Sequence, residues 1–259
     1  MLEQIQFANF PAFLLILIRI TAFFVSLPLF SYRNIPTRYK IGLSFFLALI
    51  MYYTVELPSI ELNGDYFLLL LKEASVGLSV GVLAYIVLAS VQIAGGFIDF
   101  QMGFAIANVI DPQTGAQSPL IGQYLYIVTL LFILTVNGHH LIIDGVFYSY
   151  QMIPLDHYLP LSDGQWIEYV IHTFNKMFVI AFLMAAPIVG CLFLVDIALG
   201  IIARTVPQLN VFVVGLPLKI FIGLSVLVIA MTFYIMLIRQ LFETMLTTME
   251  GLMQLFGGG

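Results

Sequence analysis

Apolar residues run in long blocks along this chain, and polar residues gather in short clusters between them. Hydropathy marks six blocks as candidate membrane helices, 10–30, 41–55, 66–94, 124–153, 166–203 and 211–238, against the roughly 20 helical residues that cross a hydrocarbon core. The lengths do not suit an ordinary bundle. Block 166–203, as one helix, would run to roughly 55–60 Å against a core of about 30 Å, more than tilt absorbs. Within 124–153, the polar cluster NGHH at 137–140 separates two pieces that are each too short to span, so the region forms either one broken helix or a shallow hairpin. Elements that overrun and underrun the bilayer point to a protein that comes to rest in a larger assembly, where lipid thickness no longer sets helix length.

The clusters between the blocks give an orientation. The stretch YRNIPTRYK holds Arg33, Arg38 and Lys40, whereas ELPSIELNGD and PLDHYLPLSDGQWIE carry acids and no Lys or Arg. The excess of basic residues on cytoplasmic loops puts the first stretch inside, the other two and both termini outside, and the 95–123 region and the 203–210 break towards the cytoplasm. The beginning, MLEQIQFANFPAFLLILIRI, has Glu3 where a cleavable leader carries positive charge and Arg19 within its apolar run, so it is expected to stay as a first membrane segment.

Composition narrows the function. The 259 residues are 61% hydrophobic and 9% charged, with a mean hydropathy of +1.06, against roughly 25% charged residues in soluble domains. This is an integral membrane protein of the all-α class. A formal net charge of −5 leaves no basic face for a phosphate backbone, so nucleic acid is not an expected partner. The single cysteine, Cys191, lies in the apolar run PIVGCLFLV and is expected to be a small buried hydrophobe.

Four stretches carry polar chemistry inside this apolar frame. In QIAGGFIDFQMGFA, Gln92, Gly96, Asp99 and Gly103 recur at i, i+4, i+7 and i+11 on one helical face. Such a stripe either forms a tight helix–helix seam with one satisfied carboxylate or lines a wet cavity, because a carboxylate facing lipid costs several kcal/mol. Next, ANVIDPQTGAQSPLIGQ contains Asn108, Asp111, Pro112, Gln113, Gly115, Gln117, Ser118, Pro119 and Gly122. It cannot remain helical, and it is either an exposed loop or an uncharged segment able to fill a pore. The third stretch, His139 and His140 followed by Asp144, has no third ligand placed by spacing; a helix break with interfacial histidines is expected, and no metal or other cofactor.

The fourth surrounds the break in VDIALGIIARTVPQLNVFVVGLPLK. Asp196 and Gly200 lie one turn apart, Arg204 one turn further, then Pro207, Gln208 and Asn210, with Pro217 and Lys219 beyond. If the chain folds back there, Asp196 meets either Lys219 across the hairpin or Arg204 along the helix, and Arg19 needs a partner of its own. At the C-terminal end, RQLFETMLTTMEGLMQLF is amphipathic, with Leu241, Met245, Met249 and Leu252 opposed to Glu243, Thr247 and Glu250, a pattern for core or partner packing by adaptable methionines.

These motifs carry a resemblance. Arg19 with SLPLFSYRNIP, then GGFIDFQMGFAIANVIDPQTG, then NGHHLIIDGVFYSYQMIP, then VDIALGIIARTVPQLNVFVVGLPLK occur in the order found in the FliR/SctT family of type III secretion export-gate proteins, and the likeness covers essentially the whole chain. The NGHH and PQLNVF wording resembles the flagellar branch more than the injectisome branch. The resemblance implies a noncatalytic subunit that joins FliP and FliQ homologues in a pore through which unfolded flagellar subunits pass, with FlhB outside, in the bacterial inner membrane at the flagellar basal body. It also implies kinked and broken helical hairpins, a FliP-like part over 1–165 and a FliQ-like hairpin over 166–259, with the break at 203–210 as its turn. Residues 108–122 resemble the loop that plugs the closed pore. Two other classes compete: a secondary transporter, which would show an inverted repeat and converging ion ligands, and an intramembrane hydrolase, which would show a nucleophile setting such as G-x-S-x-G.

Overall fold

The computed structural model describes residues 10–27, 30, 35–55, 57–58, 60, 62–104, 119–160, 164–208 and 210–258. Its described residues form an all-helical chain of seven helices: α1 (Phe10–Ser26), α2 (Thr37–Thr54), α3 (Gly64–Met102), α4 (Leu120–Thr135), α5 (Gly138–Met152), α6 (Gln165–Thr205) and α7 (Val211–Gly257). Three of them, α3, α6 and α7, are long and apolar enough to cross a membrane. At 39, 41 and 47 residues they measure about 58, 60 and 70 Å, roughly twice a hydrocarbon core. The block 124–153 is two helices, interrupted where Asn137 takes a left-handed conformation (φ 56°). Between α6 and α7 the helix stops at Thr205 and restarts at Val211. There Asn210 supplies the opening acceptors, its carbonyl and its Oδ1 both taking the Val213 amide. Pro187 and Pro217 both lie inside helices, α6 and α7 respectively.

The chain divides into two compact units. The first holds residues up to Val87, Asn137–Phe174 and Glu243–Gly259, thus α1, α2, the first part of α3, α5, the start of α6 and the end of α7. Its core is dense: Leu15, Ile16, Ile20, Phe23 and Phe24 of α1 are all at or near full burial, as are Met245, Met249 and Leu252 of α7. The close approach of α1 to α3 depends on Gly77 and Gly81, four residues apart. A Cβ on Gly77 would strike the Arg19 carbonyl, and one on Gly81 the Ser26 hydroxyl. Small residues at this spacing let two helix backbones touch.

The second unit holds Leu88–Val136 and Asn175–Phe242, thus the last part of α3, α4, and most of α6 and α7. Here α3 and α4 meet backbone to backbone, with Gly95 against the Cα of Gly122. The buried Tyr234 hydroxyl donates to the Met184 carbonyl, tying α7 to α6. Outside these seams the surface is apolar. Phe178, Phe182, Phe193, Leu194, Phe221 and Ile229 are all more than half exposed, and only 28% and 17% of the most apolar stretches of α6 and α7 are buried, against 61% for α3.

Candidate functional site

Three polar groupings stand out in this apolar frame, one in the first unit and two in the second. The first is built on Arg19, the charge inside α1. Its five N–H donors all find acceptors: Nε and Nη2 reach the two carboxylate oxygens of Glu73, with the Nη2 contact at 2.9 Å. Nη1 donates to the Ser149 carbonyl at 2.9 Å and to its hydroxyl at 3.2 Å, and Nη2 also donates to the Ile153 carbonyl at 2.9 Å. The guanidinium lies 4.1 Å over the Tyr150 ring. Lys72 closes the cluster by donating to Glu73 Oε1 at 2.7 Å and to the Pro154 carbonyl at 2.6 Å. The side chains of Arg19 and Glu73 are 1% and 0% exposed.

This cluster does two jobs. Paired and fully hydrogen-bonded charges are the form in which ions survive without water. The carbonyls that receive Arg19 and Lys72 belong to the last turn of α5 and the residues just past it, the negative end of that helix, where cations are favoured. One carboxylate and two cations therefore fix α1, α3 and the end of α5 together. Sequence reading singled out Arg19 but missed Glu73 and Lys72. The signal was present, since they are the only charged residues in the block 66–94.

The second grouping is the stripe of α3. Asp99 is 3% exposed, and both its carboxylate oxygens accept from the Ile121 amide, at 3.1 and 3.2 Å. Because α4 begins after Pro119, which offers no side-chain acceptor to its own helix, Asp99 caps α4 from across the seam, where an anion also meets the positive end of the helix. The Asp99 carbonyl takes the amides of Gly103 and Phe104 as α3 ends, with Gly103 at φ +92°. One residue thus holds the chain on both sides of 105–118. Gly96 faces Pro119, and the Gln92 carbonyl closes over Gly122, so the stripe's Gln92, Gly96 and Asp99 lie in a helix seam. Of the expected pore-plug residues, Pro119 and Gly122 sit in this seam. Asn108, Asp111, Pro112, Gln113, Gly115, Gln117 and Ser118 lie outside the described residues.

The third grouping follows the break between α6 and α7. Lys219 Nζ lies 2.9 and 3.0 Å from the two oxygens of Asp196, and Gln101 donates to the same carboxylate at 2.8 Å. Arg204 instead stands exposed at the end of α6, and Pro207, Gln208 and Asn210 are exposed in the turn. The pair is not buried within this chain: the side chains of Lys219 and Asp196 are 18% and 40% exposed. It lines an open cavity of about 580 Å³ together with Phe100, Gly103, Leu199 and Phe212. Elsewhere, the His139 and His140 ring centroids lie 4.1 Å apart with the planes tilted by 37°, and among the described residues no three His, Cys, Asp or Glu side chains converge as for a metal ion.

Residues 10–245 match the family model of the bacterial export proteins, family 1. The chain is similar to the flagellar biosynthetic protein FliR of Bacillus subtilis (strain 168), at 56% identity over 96% of each chain. It is also similar to the FliR of Escherichia coli (strain K12), at 28% identity over 82% of this chain and 80% of the relative. A third relative is the Yop proteins translocation protein T of Yersinia pestis, 33% identical over 83% and 84% of the two chains.

Proposed function

The chain belongs to the bacterial export proteins, family 1, and is a membrane subunit of a flagellar or type III protein export apparatus; from that premise we propose that it is a noncatalytic wall of the export gate itself. In this reading it forms, with homologues of FliP and FliQ, the pore through which unfolded flagellar subunits leave the cell, in the inner membrane at the base of the flagellum, with FlhB among its neighbours. The flagellar branch is favoured by the 56% identity to a flagellar relative.

The observation that carries this reading is the apolar surface of α6 and α7. Helices of about 60 and 70 Å cannot keep that surface within a hydrocarbon core of about 30 Å, so protein partners must cover what lipid does not. A division into a FliP-like part over 1–165 and a FliQ-like hairpin over 166–259 agrees with where the helices break, with α6 and α7 joined at 206–210. Residues 108–122 form the plug of the resting pore: the run DPQTGAQSP cannot stay helical and is too polar to face lipid, and Asp99 pins the chain on both sides of it.

The test is genetic and direct. Deleting the gene should abolish flagellar subunit export and motility, and the chain supplied from a plasmid should restore both. Normal export without it would refute the reading. For the plug, shortening the loop across Gln113 to Ser118 should leave the gate assembled but leaky to small ions or dyes. An assembled gate that stays as tight as the parent would assign the seal to another element.

A further inference from the structure

On the first unit, α5 and the end of α7 run side by side and leave a groove of about 260 Å³ between them. Its walls repeat at helical spacing, with Leu141, Gly145, Tyr148 and Met152 from α5 and Met249 and Met253 from α7. Two ridges, 141, 145 and 148 on α5 and 246, 249 and 253 on α7, with a trough between them have the shape that receives a third helix. Met249 and Met253 are buried and form the floor, while Leu141 and Tyr148 are half exposed and form the lip. Gly145 keeps the trough open: a Cβ there would meet only the Met249 methyl at 3.5 Å, an ordinary contact. The packing of α5 on α7 therefore tolerates a side chain at 145, and its absence leaves room for an occupant.

The groove also has a charge. Asp144 and Glu250 line it from opposite helices, both exposed, and no Lys, Arg or His lines it with them. Among the described residues, neither carboxylate has an ion pair. Two unpaired carboxylates beside an apolar trough are poorly matched to an acyl chain, which offers no cation, and they repel an anionic lipid headgroup. They match an amphipathic helix that lays apolar side chains on the methionines and extends a Lys or Arg to either rim. We propose that this groove is the docking site for a basic amphipathic helix of another subunit of the export apparatus. The inference rests on the export-gate reading, and it specifies the surface and chemistry of one contact within that gate.

The test uses the full chain in cells that carry the complete apparatus, with the photoreactive residue p-benzoylphenylalanine replacing Tyr148 and, in a second strain, Leu141. Irradiation should link both positions to one helix of another protein chain, with a Lys or Arg within a turn of the linked residue. Neutralising the rim with Asp144→Asn and Glu250→Gln should lower the crosslink roughly tenfold, as for close charge pairs across an interface. If those variants are lost from the membrane, Glu250→Lys combined with an acid at the partner's mapped basic residue should recover the crosslink. A link to lipid, to a second copy of this chain or to a helix without a basic residue would overturn the proposal, as would a yield that ignores the neutralised rim. In each of those cases co-precipitation of other gate subunits would leave the export-gate reading standing. An unsubstituted chain that co-precipitates none of them would refute that reading and this one together.

Discussion

The first unit and the second unit of this chain hold their salt bridges in opposite ways. In the first, Arg19, Glu73 and Lys72 lie fully inside and bond to each other and to the end of α5. In the second, Asp196 and Lys219 stand at an open cavity beneath exposed apolar faces, with 40% and 18% of their side chains still accessible. The first unit's ions are therefore satisfied by its own contacts, whereas the second unit's pair is left accessible. An accessible ion pair beside exposed apolar faces is suited to being covered by neighbours, as the proposed place in the gate requires.

The largest effect should come from Glu73→Ala, which strands Arg19 and Lys72 in a dry core at a cost of roughly 3–5 kcal/mol. The chain should then be lost from membranes whether or not partners are present, as measured by the amount recovered after detergent extraction. Replacing both Arg19 and Glu73 with apolar residues of similar volume should be milder than either single change, since no lone charge remains. A Glu73→Ala chain that accumulates normally would erase the contrast between the units.

Next in size is Asp99→Ala, which removes the cap of α4 and one anchor beside 105–118, at about 1–2 kcal/mol. Because this seam lies in the second unit, the chain should still accumulate while its thermal stability in the assembled gate falls and a dye leak rises. Asp99→Asn keeps an acceptor and should lie between the two. A leak equal to that of the parent would separate the seam from sealing.

Asp196→Ala should cost less, up to about 1 kcal/mol within this chain, because its pair with Lys219 is solvent-accessible and such pairs are screened. If partners cover the cavity, the same change should cost more in the assembled gate than in the isolated chain. Equal effects in both states would mean the cavity stays open. Smallest is Asp156, in the loop beyond α5, where the adjacent His157 ring at 2.9 Å holds its carboxyl below the usual carboxylate range. The depressed value means its contribution is present above the ordinary carboxylate pKa and is lost only as pH falls through the lower one. With both side chains mostly exposed, lowering the pH from 7 to 5 in an Asp156→Asn comparison should show no measurable difference in thermal midpoint.

The sequence disclosed the helical class and the break before α7 because apolar blocks and prolines are local signals. It left Asp196 a choice of Lys219 or Arg204, since all three charges flank one turn, and the fold pairs it with Lys219. The partners of Arg19 were harder, because Glu73 and Lys72 are 54 and 53 positions away, and only packing through Gly77 and Gly81 brings them together. Asp99 could be seen as a polar residue needing satisfaction, but its role as a cap for α4 depended on where Ile121 would arrive. The reach of α7 to Gly257 exceeded the block 211–238 because the amphipathic stretch after it continues the helix unbroken. How exposed the Asp196 pair stands was not legible, because it depends on the cavity at whose mouth the pair forms.

The central claim is that the second unit is completed by other gate subunits. The most direct measurement is to purify the chain in detergent alone and together with its FliP and FliQ homologues, and to weigh the resulting particles by native mass spectrometry. The account predicts an unstable or aggregated chain alone and a single stable hetero-oligomer with the partners, in which the exposed faces of α6 and α7 become protected from hydrogen exchange. A monodisperse, folded monomer that ignores both partners and leaves those faces unchanged would contradict it.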